Sequence, residues 1–118
     1  MPFIEIATNL KPETFTESLL KKFAAEAAVA LSKPPERINI AVHAGQLLYQ
    51  ALSSAPCVHV KVSAIAVVGS AEQNREHSAR LTDFLSTELG LPKDRILLTF
   101  HPLESWQVGK MGTVMTFL

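Results

Sequence analysis

The sequence predicts an α+β fold in which two β-α-β repeats form a four-stranded mixed sheet with two helices on one face. Two observations carry this expectation. Strand-like alternation of apolar residues comes before and after each of two long helical stripes. The two halves also follow one plan: Pro35-Glu36-Arg37-Ile38-Asn39-Ile40 and Lys93-Asp94-Arg95-Ile96-Leu97-Leu98 align at an offset of 58, each preceded by a proline after a long helix. The same offset sets Leu31 on Leu89, Pro34 on Pro92, Phe23 on Leu81, and the first strand on the one around Val60. The chain therefore reads as one domain over residues 1–118, a pseudo-repeat of 1–58 and 59–118. Right-handed crossovers put both helices on the same face.

The first strand covers residues 2–7, where Phe3-Ile4-Glu5-Ile6 alternates. Asn9-Leu10-Lys11-Pro12 ends it, and Pro12 suits the first turn of a helix that runs to Leu31. Phe15, Leu19, Leu20, Phe23, Ala27 and Leu31 make its apolar stripe, while Glu17, Lys21, Lys22 and Glu26 lie on the solvent side. Lys33-Pro34-Pro35 breaks the helix, residues 37–42 alternate as a second strand, and a loop takes residues 44–56. Residues 58–68 give the longest strand signal, with Val58, Val60, Val62 and Ala64 on one face and Lys61, Ser63 and Ile65 on the other. Gly69 breaks that strand, and Ser70-Ala71-Glu72-Gln73 has the capping-box pattern for a second helix with the stripe Leu81, Phe84, Leu85 and Leu89. Gly90 stops this helix, residues 95–100 form a further strand, and short strands are expected around 106–108 and 113–116.

Composition narrows the function. Eleven basic and eleven acidic residues leave no net charge to attract a polyanion, which argues against nucleic acid as a partner. No run of about 18 apolar residues suits a membrane span, and the start lacks the pattern of a secretory signal, so synthesis in the cytoplasm is expected. Cys57 is the only cysteine, which excludes an intrachain disulfide and reads as a buried thiol. His43, His59, His77 and His101 have no helical or hairpin metal spacing, so no metal is expected. A mean hydropathy of +0.19 is high for a soluble monomer of this size. Helices on one face should leave an apolar, uncovered face on the other, and an oligomer would bury it.

Met1-Pro2 is the candidate for chemistry. Methionine before a small residue is normally removed, which would leave the secondary amine of Pro2 at the N-terminus. An α-amino group titrates at roughly 7.7 to 8.0. Burial or a nearby cation lowers that value and yields a neutral base at pH 7. The fixed φ of proline and the strand behind it would hold the nitrogen on a rigid element.

The chain resembles the macrophage migration inhibitory factor group of the tautomerase superfamily. The residues that carry the resemblance are Met1-Pro2-Phe3, Thr8-Asn9-Leu10, Lys33-Pro34-Pro35, Ser53-Ser54-Ala55-Pro56-Cys57, residues 63–69 and Asp94-Arg95-Ile96. The ending, residues 102–118, is similar to the dopachrome-converting branch. The resemblance implies a homotrimer, Pro2 as catalytic base, Lys33 beside the substrate's acidic group, and Ile65 as a backbone contact in a pocket between subunits. It implies tautomerisation with decarboxylation of D-dopachrome to 5,6-dihydroxyindole, without a cofactor. The alternative it implies is an extracellular ligand of a cell-surface receptor, released without a signal peptide and retaining a secondary keto-enol activity.

Two departures stand out. Leu97 and Thr99 occupy positions where the migration inhibitory factor branch has a tyrosine and an asparagine reaching in from the neighbouring subunit, and Val60 replaces the second cysteine of its CxxC motif. The first removes two polar contacts, and the second removes any thiol oxidoreductase role. Read without the resemblance, Lys33 is a solvated cation at a helix end, where the dipole favours it, and Arg37 is a surface residue at a strand start. Gly109-Lys110-Met111-Gly112-Thr113 lacks the spacing of a phosphate loop.

Overall fold

Four strands form one mixed sheet in the computed structural model, which describes residues 1–118. They are β1 (Phe3–Thr8), β2 (Asn39–His43), β3 (Val58–Ile65) and β4 (Ile96–Leu103), in the order β2-β1-β3-β4. β1 runs parallel to β2 and antiparallel to β3, and β3 runs parallel to β4. Each parallel pair is joined by a crossover helix, α1 (Glu17–Leu31) or α2 (Ala71–Leu89). The predicted two-repeat plan is therefore the observed one. Its halves differ by two residues in register: Phe3 lies opposite Asn39, whereas Val58 lies opposite Ile96.

The core forms where the helix stripes meet one sheet face. Ile4, Ile6, Val58, Val60, Val62 and Ala64 from the strands pack with Phe23, Ala27, Leu31, Leu81 and Leu85 from the helices. Strand alternation puts Phe3, Glu5, Asn39, His43, His59, Lys61, Leu97 and Thr99 on the other face. That face is uncovered in the single chain, but it is not apolar as expected. Glu5 stands at 4.0 Å from the Lys61 ammonium and 3.9 Å from the His43 ring, across three strands. A groove of about 360 Å³ opens beside them, lined by the apolar Ala7, Val60 and Leu97 together with Glu5, His43, His59, Lys61 and Thr99.

Several boundaries differ from the sequence expectation for identifiable reasons. Pro12 sits in a separate 3₁₀ turn, Pro12–Thr14, and α1 starts only after Thr16, whose hydroxyl accepts from the Leu19 N–H at 3.1 Å. Local capping outcompetes proline as a start signal here. β3 stops at Ile65 because Ala66 takes a left-handed φ of 67°, three residues before the glycine expected to end it. The capping box at Ser70 is half formed: Ser70 Oγ accepts from the Gln73 N–H, while Gln73 Oε1 accepts from the Gly69 N–H instead of from the Ser70 backbone. Ser105–Gln107 is a 3₁₀ turn and not a strand, and the C-terminal hairpin is β5 (Gly109–Lys110) with β6 (Thr113–Val114). β4 continues past Phe100 through Pro102, which an edge strand tolerates because one side of its backbone needs no partner.

The loop between β2 and β3 is fixed by side chains from elsewhere. Asn9 Nδ2 donates to the carbonyls of Ser54 and Ala55, and its Oδ1 accepts from the Cys57 N–H. The Arg95 guanidinium donates to the carbonyls of Gln50, Ser53, Ala55 and Pro56. Cys57 is buried, as the sequence predicts, and Thr8 Oγ1 donates to its carbonyl at 2.7 Å. No helix is long and apolar enough to cross a membrane.

Candidate active site

Pro2 lies immediately before β1, with its side chain fully buried. Its carbonyl accepts two hydrogen bonds from Asn39, one from the backbone N–H and one from Nδ2, both at 3.1 Å. Asn39 Nδ2 also donates to the Arg37 carbonyl at 3.2 Å, so one side chain ties the N-terminus to the turn that precedes β2. The proline is thus held by packing and by its neighbour strand.

The antiparallel register brings Ile65 to the same corner. Phe3 is opposite Ser63, and continuing that pairing sets Ala64 beside Pro2 and Ile65 beside Met1. Ile65 is the last residue of β3 and is half-buried.

Lys33 reaches the site through the way α1 ends. Ser32 takes φ 55°, the Ser32 N–H donates to the Val29 carbonyl, and the Lys33 N–H donates to the Ala28 carbonyl at 3.0 Å. This is a Schellman ending, which satisfies the last helix carbonyls and turns the chain back toward the sheet. Lys33 follows that turn and is half-buried. The N-terminal amine, carried by Met1 in this chain, titrates below its ordinary 8.0. Burial is the largest cause, followed by the positive charges of Lys33, Arg37 and Lys110. Both influences disfavour the ammonium and leave more of the amine neutral at pH 7.

The structure sets Pro2 immediately before β1 and Ile65 at the end of the strand that pairs with β1, and it places Lys33 where its charge bears on the N-terminal amine. It adds two cations. Arg37 is exposed, as its sequence reading expects, yet its charge acts on the amine. Lys110 on β5 was legible only as part of a failed phosphate-loop pattern, and nothing local in the sequence signals that the hairpin returns to the N-terminus. The arrangement can accept a proton at nitrogen beside a bound anion. Leu97 and Thr99 stand on the uncovered face of β4, in the groove with Glu5 and His59, and not at the Pro2 corner of their own chain. None of the grooves in the single chain is lined by Pro2, Lys33 or Ile65.

Known proteins resemble the chain over its whole length. Residues 1–116 match the family described as macrophage migration inhibitory factor. The D-dopachrome decarboxylase-B of Xenopus laevis is 52% identical over 118 residues, covering 100% of both chains, and the D-dopachrome decarboxylase of Mus musculus is 48% identical with the same coverage. Among solved structures, the macrophage migration inhibitory factor of Trichinella spiralis superposes with a TM-score of 0.85 at 30% identity, covering 95% of this chain and 98% of that one. With its two β-α-β repeats and its buried Pro2, the chain belongs to the macrophage migration inhibitory factor family.

Proposed function

We propose that the mature chain converts D-dopachrome to 5,6-dihydroxyindole and carbon dioxide, with the amine of Pro2 as the base. The observation that carries this reading is Pro2, fully buried at the start of β1, next to a Met1 amine that burial and the charges of Lys33, Arg37 and Lys110 hold below its ordinary pKa. The relatives at 52% and 48% identity carry the name of that activity.

The reaction suits the site. The bond between the ring carbon and the carboxylate breaks, its electron pair enters the quinone-type ring, and a proton moves from carbon to a ring oxygen. The products together contain the atoms of D-dopachrome, so the balance needs no oxidant or reductant. The proton transfer needs a base poised near the working pH, and the substrate's carboxylate needs a cation. Pro2 serves as the first. Lys33 serves as the second, with Arg37 and Lys110 adding to the positive field, and the backbone at Ile65 forms a wall of the pocket.

The reading includes a homotrimer in which a neighbouring subunit closes the site. Its support is that no groove of the single chain is lined by Pro2, Lys33 or Ile65, while Leu97 and Thr99 stand on an uncovered sheet face. Leu97 and Thr99 of a neighbour would then line the pocket with fewer polar contacts than a tyrosine and an asparagine.

Intact mass measured alongside D-dopachrome turnover tests the reading. Loss of Met1 together with formation of 5,6-dihydroxyindole is expected. An unblocked Pro2 without turnover overturns the enzyme reading and favours the receptor-ligand one. Light scattering at micromolar concentration should give three times the mass of one chain.

A further inference from the structure

The segment that follows Ile65 is held by side chains that have no part in the reaction described so far. Ala66 takes a left-handed φ of 67°, a conformation that residues with a Cβ rarely adopt without support. The support comes from the first two turns of α2. His77 Nε2 lies 2.7 Å from the Val67 carbonyl oxygen. A carbonyl only accepts, so the ring carries a proton on Nε2. Asn74 Nδ2 donates to the Val68 carbonyl at 3.0 Å, and Gln73 Oε1 accepts from the Gly69 N–H at 3.2 Å. His77 is 7% exposed, and its ring stands 6.1 Å from that of Phe100 on β4, so it has little room to turn.

Asn74 Oδ1 is buried without a hydrogen-bond partner. An orphaned acceptor is a cost that an apolar side chain of the same size would avoid. What offsets it here is the other end of the same amide, which holds Val68.

We propose that His77 and Asn74 are positioning residues for the Pro2 site. By clamping the Val67 and Val68 carbonyls they set where the Ile65 backbone stands against the N-terminal amine. Both act through the two to three residues that separate the clamp from Ile65. The inference rests on the reading of Pro2 as the base.

The test compares His77→Leu, which removes the donor, with His77→Gln, whose amide N–H can take the place of Nε2–H. Steady-state turnover of D-dopachrome and backbone hydrogen exchange of residues 65–69 are measured on each full-length protein. In His77→Leu the exchange of that segment should accelerate at least about tenfold while β1 stays protected. The value of kcat/KM should fall about tenfold, carried by KM. His77→Gln should restore both quantities to within about twofold of the parent. Asn74→Leu, which removes donor and orphan together, should behave like His77→Leu and replaces it if that variant does not fold. Accelerated exchange without a change in KM overturns the positioning role, as does a glutamine variant as impaired as the leucine one. Unchanged exchange overturns the clamp itself. A parent protein without turnover overturns the reading of Pro2, and the exchange measurement still decides the clamp.

Discussion

Lys33 and Leu91 occupy the same place in the two halves of the chain, the residue after the left-handed end of a crossover helix. Both N–H groups close a Schellman ending, Lys33 onto the Ala28 carbonyl and Leu91 onto that of Ser86. Leu91 then does what is usual at that position and joins the hydrophobic core, 9% exposed. Lys33 instead puts a cation near the N-terminal amine. The next matched pair repeats the contrast. Arg95 spends its guanidinium on four loop carbonyls, while Arg37 stays exposed and lends its charge to the amine. Pro2 itself corresponds to Val60, which is 2% exposed in the middle of a strand. The repeat supplies one backbone twice, and only in the first half do the matched cations bear on the N-terminal amine.

The comparison breaks most sharply at Pro2. Pro2→Gly keeps a primary amine and the carbonyl that Asn39 holds, but it loses the rigid, buried secondary amine. Turnover should fall at least about 100-fold, in the range that general-base catalysis contributes. The far-UV spectrum and thermal midpoint should remain near those of the parent. If the purified variant turns over D-dopachrome at the parental rate, the base is elsewhere.

Arg95→Ala is the complementary change in the second half. It removes four charge-assisted hydrogen bonds, some of them solvent-exposed, and should lower stability by about 2 kcal/mol in urea unfolding. The folded fraction should keep its KM. A larger effect on KM than on stability would erase the division of roles between Arg37 and Arg95.

Lys33→Ala should reduce kcat/KM for a carboxylate substrate about tenfold, equivalent to about 1.4 kcal/mol. The methyl ester of the same substrate should lose less. The pH dependence has a definite sign. A nearby positive charge lowers the pKa of the amine, so its removal raises that pKa, and the acid limb of the rate profile should move to higher pH. Equal losses for acid and ester with an unmoved profile would make Lys33 a helix-end cation and nothing more.

The smallest effect belongs to Arg37→Ala, a rise in KM of about two- to threefold, because an exposed charge is screened by solvent and salt. Added salt should shrink the difference between this variant and the parent. A rise that persists at high ionic strength would show direct contact with the substrate.

Much of this was legible before the tertiary structure. Alternation in β1 and β3 and the helix stripes through Phe23 and Leu81 determine the elements, since each must bury one face. The offset of 58 determines that they come in two copies. Met1-Pro2 and Lys33-Pro34-Pro35 mark the chemistry as a resemblance, but nothing in their spacing says that they meet. Only the tertiary structure decided that Ile65 lies beside the N-terminus, because strand register is set by long-range pairing. Only it brought Lys110 to the amine, through a hairpin far away in sequence. It also turned the expected apolar sheet face into one that carries Glu5, His43 and Lys61. Periodicity shows which residues alternate, and the fate of the outward set depends on neighbours that no local window contains. His77 illustrates the same limit: an isolated histidine in a helix pattern has no visible partner until folding sets the Val67 carbonyl 2.7 Å away.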